Sequence, residues 1–261
     1  MTNADLVGGA TPAQAIDPDQ PQGSSSPGSD ETVMTLVDHL AELRNRLIKS
    51  IVAVVVGSLV GWIATPELMK VLRGPIGDRT LIFLSPGEAF FVYIKIAAAV
   101  GIILAMPVIL YQVWAFVAPG LTTEERRVVR PWIPLALLLF VVGVVIAYVV
   151  LPFAMAFLLG FEIPDVNRAE LTMNNYFGFV TTLFLAFGLM MEFPILLFGL
   201  SRVGIVTSER LRTVRRYVIV GIAVFSTVVT PGGDIVSPTV LGLTMYVLFE
   251  LSIWFIRRSG R

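Results

Sequence analysis

Long apolar runs alternate with shorter polar segments along the chain, and the six runs lie at about residues 47–65, 89–117, 131–152, 173–200, 217–230 and 235–256. A transmembrane helix needs about 20 apolar residues to cross a hydrocarbon layer of roughly 30 Å. The pattern predicts an all-α integral membrane protein with six transmembrane helices. The fifth run has only 14 residues, so we expect it to thin the bilayer locally or to be shielded by a partner.

The polar segments between the runs predict additional short elements. Residues 35–47, TLVDHLAELRNRL, predict an amphipathic helix on the inner leaflet, because leucines recur there at helical spacing. Residues 67–72 predict a short interfacial helix on the outer side, ended by Gly74-Pro75. The uncharged stretch 131–161 is too long for one crossing, so Pro152 is the predicted exit point and residues 153–172 the outside loop.

Basic residues predict the orientation, because cytoplasmic loops carry an excess of Lys and Arg. Fourteen basic residues flank one set of helix ends and four lie in the opposite loops. The protein is therefore predicted to lie in the plasma membrane with both termini in the cytoplasm. The fourteen are Arg44, Arg46, Lys49, Arg126, Arg127, Arg130, Arg202, Arg210, Arg212, Arg215, Arg216, Arg257, Arg258 and Arg261, and the four are Lys70, Arg73, Arg79 and Arg168.

Composition supports a membrane protein and disfavours most enzymes. Hydrophobic residues make up 56% of the chain, charged residues make up 15%, and the mean hydropathy is +0.81, whereas soluble domains carry roughly 25% charge. The formal net charge is zero, so no global field favours nucleic acid. There is no cysteine and one histidine, His39, which removes disulfides, thiolate chemistry and His-based metal clusters. We predict no cofactor.

The chain divides into three predicted parts. Residues 1–33 carry five acidic residues, no Lys or Arg, and many Pro, Gly and Ser residues. That composition predicts a disordered cytoplasmic tail. Residues 34–258 form the predicted six-helix transmembrane domain, and residues 259–261 form a short cytoplasmic end.

Glu42 is the first candidate binding residue, on the polar face of the amphipathic segment. Arg44 and Arg46 share that face, and Glu42 and Arg46 are four residues apart and able to pair. One account is a set of solvated charges; the other makes Glu42 a receptor for a cationic ligand. Periodicity alone favours the first account.

A second candidate segment is YQVWAFVAPGLTTEERRVVRP, residues 111–131. Trp114 and Phe116 suit an interfacial aromatic belt, and Pro119-Gly120 ends the helix before a new turn that carries Glu124 and Glu125. A positive-inside loop needs the arginines of this segment but not its two acids. With Glu42, these carboxylates offer a surface where guanidinium groups dock, and bidentate pairing would prefer Arg over Lys.

Glu192 is the acid whose position is most costly, because Met173 to Ser201 contains no other Asp, Glu, His, Lys or Arg. A charge near the bilayer centre costs roughly 2.5–3.5 kcal/mol on insertion scales. We therefore expect Glu192 to be often protonated and to donate a hydrogen bond in a polar recess. Pro194 removes a backbone N–H and predicts a kink beside it. A purely structural hydrogen bond between helices is the alternative, and we favour function.

Three further acids lie near predicted helix ends. Glu250, about two turns from the inner end of the last span, predicts either an interfacial ion pair, with Arg257 and Arg258 nearby, or a binding role. Glu88 is placed to stabilise the start of the second span. Asp234, in the turn TPGGDIVSP, is expected to cap the last helix.

These segments, in this order, resemble the TatC family, the polytopic subunit of the twin-arginine protein translocase. The resemblance covers about residues 34–258 and rests on HLAELRNRL at 39–47, AMPVILYQVWAFVAPGLTTEERR at 105–127, FGLMMEFP at 187–194, RRYVIVG at 215–221 and the turn at 230–234. It implies a concave, six-helix receptor with kinked helices, short fifth and sixth helices and no catalytic centre. It also implies binding of Arg-Arg signal peptides of folded cargo, and transport driven by the proton-motive force with small single-span subunits of the TatA and TatB type.

The resemblance also implies roles for individual residues. Glu42 and Glu125 match the family's signal-peptide acids, and Phe116 and Pro119 match framework positions beside them. The remaining matches are the intramembrane acid Glu192, the partner-docking position Thr230, and the outer-loop positions Pro75 and Asp234. Pro238 stands where the family often has a polar residue, so the polar docking contact does not transfer to it; Ser237 and Thr239 are both candidates to replace it.

Other functions remain as alternatives to a translocase subunit. A proton-coupled secondary transporter would use Glu192 as its proton site, but such folds usually contain related repeats, and the first three runs contain no counterpart of MEFP. A membrane scaffold without transport would leave the inner-face acids unexplained. An enzyme is the least favoured, since no Ser–His or paired His arrangement exists.

Overall fold

The computed structural model describes residues 36–163, 169–202, 204, 206–230 and 233–258. The tail at 1–33 and the end at 259–261 lie outside these residues. The described part is helical apart from short turns, which confirms the all-α prediction. Its eight helices are α1 (Leu36–Leu72), α2 (Pro86–Val117), α3 (Thr123–Val129), α4 (Trp132–Leu159), α5 (Met173–Met190), α6 (Phe193–Arg202), α7 (Ser208–Val229) and α8 (Val236–Arg258).

Five segments of the described chain are long and apolar enough to cross a membrane, where the sequence predicts six. They are Asp38–Ile76, Pro86–Gly120, Trp132–Leu159, Met173–Ser201 and Val236–Arg258. The fifth predicted span falls in α7, whose 22 residues begin with SERLRTVRR and turn apolar only at Tyr217. α7 and α8 have 22 and 23 residues, compared with 37, 32 and 28 residues in α1, α2 and α4 and 18 in α5.

α1 is one continuous helix of 37 residues, which contradicts two predictions. The amphipathic segment at 35–47 and the interfacial helix at 67–72 are not separate elements, because both continue the first span. Pro66 lies inside the helix, where it removes a single backbone hydrogen bond. Thr65, just before it, donates its hydroxyl to the Gly61 carbonyl at 2.8 Å. Local side-chain bonds of this kind let membrane helices tolerate proline.

α4 also passes through a predicted boundary. The helix runs from Trp132 to Leu159 with Pro152 inside it, so Pro152 is not the exit point and the connecting loop begins only after Leu159. Proline interrupts one hydrogen bond of a helix, and the apolar turns on either side of Pro152 remain helical. A single proline therefore does not end a membrane helix when the apolar run continues beyond it, as it does here to Leu159.

The predicted kink at Pro194 is confirmed as a complete break between two helices. α5 ends at Met190 and α6 begins at Phe193, so Met191 and Glu192 form a turn. The Glu192 N–H donates to the Leu189 carbonyl, and the Ile195 N–H donates to the Glu192 carbonyl, both at 3.1 Å. Pro194 is the second residue of α6, a position where its missing N–H has no helical acceptor. The break therefore places Glu192 on a turn between two helix ends.

Helix packing depends on glycines that let backbones approach closely. A Cβ at Gly143 of α4 would lie 2.4 Å from the Phe187 carbonyl oxygen of α5, and one at Gly101 of α2 would lie 2.1 Å from Ser58 Oγ of α1. Small residues at such crossings are typical of membrane helices. The largest fully buried side chains, Phe140, Phe177, Phe187 and Phe249, come from α4, α5 and α8. These contacts hold α5, and with it the Glu192 turn, against α4.

The loops after α1 and α4 meet at one end of the bundle, which we call the far end. The Ile82 N–H donates to the Leu171 carbonyl at 3.0 Å, and the Met173 N–H donates to the Ile82 carbonyl at 2.8 Å. Arg79 forms a bidentate ion pair with Glu162, with both contacts at 2.6 Å, and this hydrogen bonding raises the pKa of Arg79. The far end is therefore tied together by backbone and charged contacts.

Candidate functional site

Glu42 lies against α2 at the opposite end of the bundle, which we call the α3 end because α2 ends and α4 begins there. Arg46 pairs with Glu42 Oε1, as the spacing predicts, and Arg46 Nη1 donates to Gln112 Oε1 of α2 at 3.4 Å. The Glu42 side chain is only 17% exposed. Its second oxygen, Oε2, is buried and has no hydrogen-bond partner among the described residues. One oxygen of this carboxylate is thus engaged and the other is not.

The segment after α2 folds as the sequence predicts. α2 ends at Val117, Pro119 lies in a 3₁₀ turn, and α3 begins at Thr123. Arg126 Nε donates to the Ala118 carbonyl at 2.6 Å, so this arginine holds α3 against the end of α2. Glu124 is exposed and Phe116 is half-buried. Glu125 belongs to α3, but its side chain lies outside the described part of the structure.

Glu192 lines an apolar cavity of about 310 Å³ between α2, α4 and α6. Its Oε1 atom is buried, as is Nε1 of Trp114, and neither has a hydrogen-bond partner in the described part of the chain. A buried polar group without a partner costs about 1–3 kcal/mol. The other wall residues are apolar: Leu110, Val113 and Val117 of α2, Trp132, Ile133 and Ala136 of α4, and Ile195, Leu196, Phe198, Gly199 and Leu200 of α6.

Sequence reasoning missed the two tryptophans of this cavity. Trp114 was expected in an interfacial belt, yet its side chain is half-buried and faces Glu192's cavity. Trp132 stacks on Phe198 with ring centroids 3.7 Å apart, which closes the cavity between α4 and α6. The spacing of Leu110, Val113, Trp114 and Val117 marks one helical face, and this signal was present in the sequence.

Glu250 forms an ion pair within the chain. Arg215 of α7 places its Nε 2.7 Å from Glu250 Oε1, without hydrogen-bond geometry, and its Nη2 donates to Tyr246 Oη at 2.5 Å. Of the two interpretations of Glu250, the structure supports the ion pair, and the partner is Arg215 of the neighbouring helix. Glu250 thus joins α7 to α8.

Thr230 and Asp234 line a groove of about 600 Å³ between α7 and α8. Thr230 is buried and donates its hydroxyl to the Ser226 carbonyl at 2.5 Å. Asp234 accepts the Ser237 N–H on Oδ1 at 2.5 Å, which confirms it as the cap of α8. Thr239 and Pro238 line the groove, whereas the Ser237 side chain is fully buried and is not part of the lining.

The outer-loop candidates serve the packing of the far end. Glu88 accepts the Leu84 N–H at 2.7 Å and the Asn174 N–H at 3.0 Å, so it stabilises the starts of both α2 and α5. Pro75 lies in a 3₁₀ turn beside the buried Ile76. Among the described residues, no three His, Asp or Glu side chains are grouped to hold a metal ion.

Comparisons with known proteins give one consistent result. A family model described as Sec-independent protein translocase protein (TatC) matches residues 38–243. TatC of Aquifex aeolicus is 39% identical over 234 residues, which cover 87% of this chain and 97% of that protein. TatC of Escherichia coli K12 is 39% identical over 233 residues, with 87% and 90% covered. A crystal structure of a twin arginine translocase receptor, TatC, matches with a TM-score of 0.74 at 38% identity, covering 85% of this chain and 100% of that one.

Proposed function

Because this chain belongs to the TatC family of Sec-independent protein translocases, we propose that it binds Arg-Arg signal peptides of folded proteins at the α3 end of its helix bundle. As a member of that family it is a multi-pass membrane protein and a protein-transport subunit, not an enzyme. Its family relationship favours this function over a proton-coupled transporter of small solutes.

The proposed binding surface, which we call the rim, consists of Glu42, Glu124, Glu125, Phe116 and Pro119, together with the exposed Arg44. The observation that supports it best is the half-engaged carboxylate of Glu42. Oε1 pairs with Arg46, while Oε2 is buried beside α2 without a partner in the described chain. A guanidinium of the ligand completes this carboxylate by joining at Oε2 or by replacing Arg46. Bidentate geometry makes an Arg pair a better ligand than a Lys pair.

This function requires six transmembrane spans in the plasma membrane, with both termini in the cytoplasm. In the sequence, fourteen basic residues flank one set of helix ends and four lie in the opposite loops, and this excess supports a cytoplasmic α3 end. α7 becomes the additional span, because it packs against α8 from the Arg215–Glu250 pair to Ser226 beside Gly242. The absence of cysteine from the sequence allows a direct check by labelling single cysteines from either side of the membrane.

We place the polar recess for an inserting helix at Glu192. The turn between α5 and α6 presents this acid to an apolar cavity, where its buried oxygen has no partner among the described residues. A helix of a signal peptide or a partner subunit that carries a polar group would supply that hydrogen bond. The proton-motive force is the proposed energy source, as the family role implies.

We propose that small single-span subunits dock in the groove between α7 and α8. Thr230 and Thr239 are among the polar residues that line it, and Thr239 replaces the polar side chain that is missing at Pro238. Thr239 is the better of the two candidates because it lines the groove, whereas Ser237 is fully buried behind it. Glu250 is left out of this docking surface because Arg215 engages it.

A binding measurement tests the rim. The full chain in lipid nanodiscs is titrated with matched fluorescent peptides that contain Arg-Arg or Lys-Lys. Glu42→Gln is expected to lose most of the preference for Arg-Arg, because the amide does not attract a guanidinium. Glu67→Gln is the matched control, since Glu67 lies on the same helix and is exposed and paired only with Lys70 in the described chain. Unchanged preference in Glu42→Gln would refute the assignment of Glu42.

A further inference from the structure

Lys95 places a positive charge on an exposed face of α2, a helix that is long and apolar enough to span a membrane. It lies nine residues beyond Pro86, the first residue of α2, or about 14 Å along the helix axis. Phe91, one turn earlier on the same face, is also exposed. Helical side chains point toward the N-terminus, so the ammonium of Lys95 is directed back to the far end, where a membrane lysine reaches the polar interface.

A polar pocket of about 490 Å³ at the far end contains both Lys95 and Glu88. Lys95 Nζ donates to Asn174 Oδ1 at 2.6 Å, and an ammonium group has three N–H donors. Glu88 accepts one backbone N–H on each oxygen, from Leu84 and from Asn174, whereas a carboxylate has about four acceptor sites. The exposed Asn175 lines the same pocket. The pocket therefore offers a cationic donor and an anionic acceptor, side by side, to one ligand.

An apolar groove of about 340 Å³ lies between α1 and α2 on the membrane side of this pocket. Along α2 it begins at Ile94, the neighbour of Lys95, and continues to Ala98, which is one turn closer to the α3 end. Trp62 of α1 lines the groove and packs edge-to-face on Tyr93, with ring centroids 5.7 Å apart. Such aromatic residues are typical of the level where headgroups meet acyl chains. The polar pocket and the apolar groove thus follow each other in the order of a lipid molecule's own parts.

We propose that the pocket and the groove together bind one phospholipid from the leaflet at the far end. Its phosphate accepts from Lys95, its headgroup ammonium donates to Glu88, and one acyl chain lies in the groove. A headgroup with a primary ammonium matches the two opposite charges, whereas a choline group has no N–H to donate and a glycerol group brings no positive charge. The inference goes beyond the proposed function, because the site lies at the opposite end of the bundle from the rim and needs no signal peptide.

Lipid retention by the full chain tests the headgroup contacts. The chain is released into mild detergent from membranes with equal amounts of phosphatidylethanolamine, phosphatidylcholine and phosphatidylglycerol, and the bound lipids are identified by native mass spectrometry. We expect preferential retention of phosphatidylethanolamine. Lys95→Met should weaken this retention on the order of tenfold, and Lys95→Arg should preserve it. Lys70→Met is the matched control, because it removes the same charge from an exposed residue of α1 that pairs with Glu67.

Three results of this experiment would overturn the inference. The first is equal retention of the three lipids by the unchanged chain. The second is equal loss of phosphatidylethanolamine in Lys95→Met and Lys70→Met, since the effect would then follow net charge and not a site. The third is displacement of the retained lipid by excess inorganic phosphate, which would identify a site for a soluble anion.

Tryptophan fluorescence locates the acyl chain without any change to Lys95. Trp62 lines the groove, whereas Trp114 and Trp132 line the Glu192 cavity. In nanodiscs, phosphatidylethanolamine with brominated acyl chains should quench the emission of the full chain more strongly than phosphatidylcholine with the same chains. Trp62→Phe should remove this difference, because Trp62 is the emitter beside the bound chain. A difference that persists in Trp62→Phe would place the lipid elsewhere on the protein and would contradict the inference.

Discussion

Glu192 and Glu250 are two glutamates in apolar helical surroundings with opposite relationships to the rest of the chain. Glu250 contacts Arg215 at 2.7 Å and so connects α8 to α7. Glu192 lies on the turn between α5 and α6, and its buried Oε1 has no partner in the described structure. The Arg215 and Glu250 side chains are 47% and 35% exposed, so this pair stabilises the chain less than a buried pair would. Of these two glutamates in apolar sequence, Glu192, for which the described chain supplies no partner, is the better candidate for function.

Transport assays on the two acids test this comparison with the largest expected effect. Glu192→Ala should assemble in the membrane at normal levels and lose transport, because the recess loses the polar group that an inserting helix needs. Glu250→Ala should retain substantial transport but unfold at a lower temperature, because Arg215 loses its counter-charge. The measurements are export of a folded reporter, membrane levels and thermal unfolding. Intact export by a well-expressed Glu192→Ala protein would remove Glu192 from the mechanism.

A substitution in α4 can move the Glu192 turn without changing Glu192 itself. Gly143→Ala places a Cβ about 2.4 Å from the Phe187 carbonyl oxygen, so α4 and α5 must separate. Overpacking of this kind costs about 1–3 kcal/mol, and we expect a lower Tm and reduced transport. Gly178→Ala in α5 is the control, since a Cβ there meets no heavy atom within 4 Å. Equal Tm values for the two variants would contradict the packing account.

A third acid, Glu42, is intermediate between the paired Glu250 and the unpartnered Glu192, because only one of its oxygens is paired among the described residues. Arg46→Gln removes the competing guanidinium and leaves the carboxylate for the ligand. An i,i+4 ion pair contributes about 0.3–0.5 kcal/mol, so the Arg-Arg peptide should bind about twofold more tightly. Peptide titration measures this change, with Arg44→Gln as the control for loss of one positive charge. Weaker binding by Arg46→Gln alone would mean that Arg46 positions Glu42 for the ligand.

Features set by a few adjacent residues were predictable from the sequence. The break at Pro194 follows from a missing N–H, the cap at Asp234 from a carboxylate before a helix, and the turn at Pro119-Gly120 from its two breakers. The same local rules failed at Pro66 and Pro152, which lie inside α1 and α4. In these long apolar helices the remaining backbone bonds outweigh the single bond that proline removes.

Features that depend on distant segments were not predictable in the same way. The pairing of Glu250 with Arg215 joins residues 35 apart, and it requires the register between α7 and α8. The Glu192 cavity requires α2, α4 and α6 to meet, so the sequence identified the acid but not Trp114 and Trp132 as its neighbours. The hydropathy pattern of the sequence predicts six spans. α7, which contains the fifth, has four arginines in its first nine residues and is not apolar enough to count as a membrane span by composition.

The most direct test of the central claim is photo-crosslinking at the rim. A photoreactive residue replaces Phe116, which leaves Glu42, Glu124 and Glu125 intact, and the full chain in membranes receives matched peptides with Arg-Arg or Lys-Lys. The account predicts strong labelling by the Arg-Arg peptide, weak labelling by the Lys-Lys peptide, and loss of the difference in Glu42→Gln. Equal labelling by both peptides would contradict a carboxylate site for an arginine pair at the α3 end.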